Sequence, residues 1–312
     1  ISEFTNFSYA DLAFQIMSPF IGESLSKKEL EQIIKKSYSS FYHPEITPIS
    51  RISNNEYLLE LFHGPTLAFK DCAMQFLGSL FEHFLKKRKE KITIICATSG
   101  DTGAAAVEAF KDRELIDLVV LFPRGRISEV QQRQMTTTGS KNIHCLSMDG
   151  TFDDCQTIVK NLLNDSDFCN KFNLSAVNSI NWVRVMAQVV YYFYAALKLG
   201  SPQEKINFSV PTGNFGDIFA GFVASKMGLP IGKLCIATNS NDALERFLIK
   251  GEYEIDEVIA TLSPSMDIQI ASNLERLLYE SSGQKSDIIR NIMNDLQINK
   301  SFKIESKVLE SI

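Results

Sequence analysis

The sequence predicts an α/β fold in which parallel sheets are covered by helices on both faces. Three observations predict it. Strand and helix patterns alternate along most of the chain, the strands are near-continuous apolar runs, and several strands run directly into glycine-bearing turns that open helices. Strands that are apolar on both faces need cover on both faces, and intervening helices supply it.

Each element follows from its pattern. Residues 9–22 and 27–38 carry the apolar spacing of helices, and EYLLELF (Glu56–Phe62) reads as a strand. Residues 71–88 form a helix with Ala73, Met74, Phe76, Leu77, Leu80 and Phe81 on its apolar side. ITIICAT (Ile92–Thr98) is an apolar strand, followed by the alanine-rich helix TGAAAVEAFKD (Thr102–Asp112). IDLVVLFP (Ile116–Pro123) is the next strand, and RISEVQQRQMTTTG (Arg126–Gly139) the next helix, stopped by its glycine. NIHCLSMDG (Asn142–Gly150) is a third strand, and Thr151 is the N-cap of the helix TFDDCQTIVKNLLND. A turn-rich stretch then leads to a long helix, residues 178–200. KINFSVPT (Lys205–Thr212) is a strand entering the turn and helix GNFGDIFAGFVASKMG, and KLCIATN (Lys233–Asn239) is one more strand. The final SFKIESKVLESI (Ser301–Ile312) reads as helical.

Composition narrows the function. A chain of 312 residues, 45% hydrophobic and 22% charged, can bury a large core and has the balance of a globular protein. The net charge of −5, with both signs interspersed, argues against a nucleic-acid partner. KKRKEK (Lys86–Lys91), the most basic stretch, reads as a solvated helix end. The six cysteines form no CxxC pair and no signal peptide precedes them, which points to free thiols in a reducing cytoplasm. The four histidines lack metal-ligand spacing. Val185–Leu197 is apolar but too short to span a bilayer, so it reads as a buried helix and no membrane partner is expected. The chain starts at Ile1 without a methionine and stops after a charged segment, so a fragment of a longer protein is expected.

Ligands of open α/β sheets bind beyond the carboxyl ends of strands. Three such loops stand out. In VPTGNFGD (Val210–Asp217), Gly213 and Gly216 allow close approach of backbone to a ligand at a helix start, where unused amides and the dipole suit a phosphate. The pattern is neither a P-loop nor a dinucleotide fingerprint. ATSGDTGAAA (Ala97–Ala106) crowds Ser99, Asp101 and Thr102 into one turn; Ser99 or Asp101 can cap the helix, and the hydroxyls and amides also suit an anionic ligand. HGPTLAFKD (His63–Asp71) places Lys70 before an apolar helix, where desolvation would favour a neutral amine able to form an imine. A desolvated lysine together with a phosphate cradle points to pyridoxal phosphate.

FHGPTLAFKD (Phe62–Asp71), ATSGDTGAAA, NSINWVR (Asn178–Arg184), PTGNFGD (Pro211–Asp217) and SPSMDI (Ser263–Ile268) follow one another along nearly the whole chain. In that combination the sequence resembles the threonine synthase family, in the branch shared by many bacteria and fungi. The resemblance implies a fold type II pyridoxal-phosphate enzyme, tryptophan synthase β-like, with two doubly wound domains of mainly parallel sheet. It implies a carbon–oxygen lyase of threonine biosynthesis that converts O-phospho-L-homoserine and water to L-threonine and phosphate. Lys70 would bind the cofactor and then act as acid and base, and Gly213, Asn214, Phe215, Gly216 and Asp217 would hold the cofactor's phosphate end. Ser99, Asp101 and Thr102 would face the substrate or the cofactor ring, and Ser179, Asn181 and Arg184 the substrate phosphate, for which Arg184 offers a planar fork of donors.

On the same resemblance, residues 1–90 are an N-terminal segment carrying the cofactor lysine and leading into the large domain. Residues 91–177 are a smaller α/β domain, and 178–312 a large cofactor domain truncated at its C-terminus. The family has a segment ahead of residue 1 and a C-terminal portion whose threonine contacts the pyridine nitrogen, which this sequence does not reach. A cytoplasmic monomer or homodimer is expected. The alternatives are a threonine-synthase-like phospho-lyase, an amino-acid dehydratase, or a non-catalytic homologue.

Overall fold

A computed structural model describes residues 1–177, 179 and 181–312, and the chain divides into two units. One comprises Ser2–Leu197; the other comprises Lys198–Ile312 with Ile1.

The first unit opens with two capped helices. Ser8 Oγ accepts from the Asp11 amide to start α1 (Tyr9–Ile21), and a Ser26/Glu29 capping box starts α2 (Lys27–Tyr38). The strand expected over 56–62 is shorter: β1 (Ile49–Arg51) and β2 (Tyr57–Leu59) pair antiparallel, and residues 60–62 lie outside the strand, although the Glu60 amide still donates to the Pro48 carbonyl at 2.9 Å. α3 (Asp71–Arg88) is buried through its first ten residues. Then come β3 (Ile92–Ala97), α4 (Asp101–Phe110), β4 (Ile116–Pro123), α5 (Glu129–Thr136), β5 (Ile143–Met148) and α6 (Phe152–Asn164). α5 starts later than expected because Ser128 Oγ takes the Gln131 amide and fixes the cap there. The stretch read as turn-rich holds a short helix, α7 (Ser166–Phe172), capped by Asp165, and the strand β6 (Leu174–Ala176). α8 (Trp182–Lys198) follows, buried along nearly its whole length.

The four strands β5-β4-β3-β6 form one sheet, parallel throughout, with Ile94 opposite Leu118 and Leu118 opposite Ile143. Alternate residues of each strand face opposite sides. Ile92, Ile94, Cys96, Leu118 and Val120 pack with α3 and α4 through Met74, Leu77, Ala105 and Phe110. Ile95 and Leu121 pack with Cys155 and Val159 of α6 on the other side. Both faces are covered, and each large apolar side chain so buried contributes roughly 1.5–3 kcal/mol relative to exposure.

The second unit contains β7 (Ile206–Pro211), α9 (Gly216–Lys226) and β8 (Ile231–Ala237), with β7 and β8 parallel. It continues with α10 (Ala243–Lys250), β9 (Glu252–Glu254), α11 (Leu274–Ser281), α12 (Ser286–Asn299), β10 (Ser301–Lys303) and α13 (Ser306–Glu310). The helix expected from Ser301 onward begins only at Ser306. Residues 301–303 instead pair antiparallel with β9, where Phe302 stacks on Tyr253 at 5.1 Å. Tertiary pairing there overrides a local helical pattern. Among the described residues no helix is long and apolar enough to cross a membrane.

Candidate active site

Lys70 occupies the N-cap of α3 with helical dihedrals, and only 9% of it is exposed. Its stem is covered, and Nζ ends 3.1 Å from Asp101 Oδ2 and 4.8 Å from the centre of the Phe69 ring. The amine expected to be desolvated beside an apolar helix is buried, and it faces a carboxylate at the start of α4. That carboxylate is itself held: Gln131 Nε2, on α5, donates to Asp101 Oδ1. The same glutamine fills the space over Gly100, which has φ +134° and where a Cβ would collide with Gln131 Oε1. Only glycine fits that turn.

The cap of α4 differs from the expectation of Ser99 or Asp101. Buried Thr98 does the work, its Oγ1 accepting from the Gly100 amide at 2.9 Å and the Gly103 amide at 2.8 Å. Ser99, Asp101 and Thr102 stay partly exposed around the turn.

The loop ahead of Lys70 is tied down by its neighbour. Asp71 is wholly buried and accepts from the Thr66 amide and from Thr66 Oγ1, both at 2.8 Å. Burial pushes its carboxyl up to about 6, against the pull of those Thr66 hydrogen bonds. Gln134 Nε2 donates to the Thr66 carbonyl at 3.2 Å. α5 thus reaches both loops, one through Gln131 and the other through Gln134.

Of the NSINWVR motif, Asn178 and Ile180 lie outside the described residues. Asn181 caps α8, its Oδ1 accepting from the Val183 amide at 3.0 Å, and Ser179 is partly buried just before it. Arg184 is 4% exposed; Nη1 donates to the Val177 carbonyl at 3.0 Å and Nε has no hydrogen-bond partner. Burial pulls its guanidinium down to about 10, with the Cys96 thiol opposing the shift. A surface salt bridge is not its role. A buried cation with an unused donor is costly unless an anion meets it.

In the second unit, Gly213–Gly216 follow β7. Phe215 caps α9 in the left-handed conformation (φ +65°, ψ 0°) with no side chain capping the helix. The Phe215 side chain supplies no acceptor, and the amides of the first turn sit at the positive end of the dipole. The Asn214 carbonyl accepts from the Asn273 amide at 3.0 Å and from Asn273 Nδ2 at 3.1 Å, while Asn214 Oδ1 accepts from Ser272 Oγ at 3.2 Å. A Cβ on Gly213 would come within 3.0 Å of Ile268 Cδ1, so the SPSMDI segment lies against this turn. Asp217, partly buried, follows in the first turn of α9. Thr98, Gln131, Gln134, Ser272 and Asn273 carry no mark in the sequence that sets them apart. Their partners lie far off along the chain, except for Thr98, whose hydroxyl was overshadowed by its neighbours.

A profile of pyridoxal-phosphate dependent enzymes matches residues 42–292, and one of the threonine synthase N terminus matches residues 1–38. The chain belongs to the pyridoxal-phosphate dependent enzyme family. Within that family it is 46% identical to threonine synthase of Pseudomonas aeruginosa over 98% of this chain and 66% of that protein. It is likewise 46% identical to threonine synthase of Saccharomyces cerevisiae over 99% of this chain and 65% of that protein. A crystal structure of pyridoxal-phosphate-bound threonine synthase from Brucella melitensis superposes with a TM-score of 0.95 and 52% identity, over 99% of this chain and 67% of that one. The yeast threonine synthase structure superposes with a TM-score of 0.91 and 45% identity, covering 99% and 65% of the two chains. These matches bear out the family and fold type implied by the motifs. The chain spans about two thirds of the length of these relatives.

Proposed function

We propose that this family member converts O-phospho-L-homoserine and water to L-threonine and phosphate. One observation carries the proposal: a buried primary amine, Lys70, at a strand-exit loop with its nitrogen 3.1 Å from Asp101. The residues fit the cofactor of the family. Lys70 offers the amine for its aldehyde, and the Gly213–Gly216 turn offers amides at the positive end of a helix where no Cβ at Gly213 would crowd in. Pyridoxal phosphate, when bound, supplies an acceptor for the electron pair left at the substrate Cα.

The remaining work falls to side chains of this chain. The Lys70 amine takes the proton from Cα and moves protons at Cα and Cβ, which lets phosphate depart from Cγ and water add at Cβ. Asp101 orients that amine from one side. Ser99 and Thr102 are assigned to the substrate, Asp217 to the cofactor end of α9. Arg184, with Ser179 and Asn181, is assigned to the substrate phosphate, where a fixed guanidinium stabilises the charge that develops on the leaving group. The unpartnered Nε and the buried setting of Arg184 support this assignment. The smaller domain is assigned to residues 91–177, which carry the whole four-stranded sheet, between the 1–90 segment and the 178–312 cofactor domain. The reading places a monomer or homodimer in the cytoplasm.

The test uses purified full-length protein with pyridoxal phosphate and phosphohomoserine. A visible absorption band and release of phosphate with threonine as product are expected. Lys70→Ala should abolish the band and lower kcat by about a thousand-fold or more. Wild-type protein giving 2-oxobutyrate in place of threonine, or a Lys70→Ala protein turning over at the native rate, would reject the assignment.

A further inference from the structure

We infer that Asn273 is a positioning residue for the cofactor phosphate, acting by locking the peptide between Asn214 and Phe215. The inference rests on the reading of Gly213–Gly216 as the phosphate cradle. A peptide unit is planar and trans, so its C=O and N–H point in opposite directions. Whatever fixes the Asn214 carbonyl therefore fixes the direction of the Phe215 amide.

Asn273 fixes that carbonyl twice. Its own amide donates to Asn214 O at 3.0 Å, and its side-chain Nδ2 donates to the same oxygen at 3.1 Å. Asn273 is wholly buried, and its Oδ1 accepts from Arg276 Nε at 3.2 Å, which leaves Nδ2 as the end facing the turn. Ser272 adds a hydroxyl to Asn214 Oδ1 at 3.2 Å. The turn needs such restraint. Phe215 has φ +65°, a left-handed conformation that strains a non-glycine residue, and a flip of the preceding peptide is the ready way to relieve it. Two hydrogen bonds to the Asn214 carbonyl oppose that flip. The locked peptide directs the Phe215 amide away from Asn273, and the Phe215 carbonyl is engaged by the Phe219 amide at 3.1 Å as the first helical bond of α9. The turn amides are thus preset in one arrangement before any ligand arrives. Preorganisation of this kind strengthens binding of an anion without a contact to it.

A positioning role predicts a loss specific to the phosphate. Dissociation constants of pyridoxal phosphate and of pyridoxal, which lacks the phosphate, are measured by visible absorption on the cofactor-free full-length protein. Wild type should bind the phosphate ester far more tightly than the alcohol. Asn273→Ala should weaken pyridoxal phosphate about ten-fold while changing pyridoxal less than about two-fold. Asn273→Asp, which turns a carboxylate oxygen toward the Asn214 carbonyl, should weaken it further. Asn273→Ser, a milder change that retains a donor, serves if the alanine protein does not fold. Equal weakening of both ligands, or unchanged binding of pyridoxal phosphate, overturns the positioning role while leaving the cradle intact. A wild-type protein that does not distinguish the two ligands overturns the cradle reading and the inference with it.

Discussion

Asp71 shows how one side chain can hold a loop and destabilise the fold at once. Its two contacts with Thr66 tie down the residues before Lys70, yet burial outweighs them and lifts its carboxyl from 3.8 to about 6. A raised acid binds its proton more tightly in the folded state than in the unfolded one. The stabilisation from that proton is complete below about pH 4 and is lost as pH rises to about 6, above which it is gone. The span corresponds to on the order of 3 kcal/mol. Asp71→Asn keeps the shape and an acceptor for the Thr66 amide without a charge. In denaturant unfolding the variant is expected to gain on wild type as pH rises from 4 to 6.5, with the gap constant above that. A gap that is flat across pH 4 to 6.5 would show that Asp71 does not titrate there. Arg184 is the matching case for a base: burial lowers it to about 10, which still leaves it charged near neutral pH.

At the scale of elements, α5 acts as a clamp with two arms one turn apart. Gln131 holds Asp101, and Gln134 holds the Thr66 carbonyl in the lysine loop. Gln131→Ala removes a donor from a carboxylate that pairs with Lys70, so it is expected to lower kcat about ten-fold while lowering Tm by only a few degrees. Gln134→Ala, losing one neutral hydrogen bond to a backbone carbonyl, should leave kcat within about three-fold. Steady-state kinetics and thermal melts separate the two; equal effects would show that α5 serves only as packing. The sequence revealed α5 as a helix but not its clamp, because glutamines on a polar helix face carry no signal of a partner thirty or more residues away. Lys70, Ser99, Asp101 and Gly213 stand out as candidates in the sequence because strand exits and glycines mark them locally. Thr98 took the cap that Ser99 and Asp101 offered equally well by residue type, a choice made by backbone geometry. The strand β10 carries a helical pattern locally for a similar reason: its partner β9 lies some fifty residues earlier.

On the scale of the whole molecule, the pattern that announced an α/β fold also forecasts uneven stability. The strands β3 and β4 read as continuous apolar runs, and both are buried, with helices on each face. β7 and β8 read as strands by the same rule but consist of exposed and partly buried residues, with Val210 buried, and form a sheet of two among the described residues. A ladder bond opens at the free energy of the smallest cooperative unit that exposes it. Opening β3 or β4 must expose Ile94, Cys96, Leu118, Val120 and the α3 and α4 residues against them, so it approaches global unfolding. Opening the β7–β8 pair exposes far less apolar surface. Hydrogen exchange of the cofactor-free protein is therefore expected to protect the amides of Ile94, Cys96, Leu118 and Val120 at least about a hundred-fold more than those of Phe208 and Leu234, a difference of about 3 kcal/mol. Equal protection in the two sheets would mean that the chain opens as one cooperative block, and the burial contrast between the strands would then have no energetic consequence.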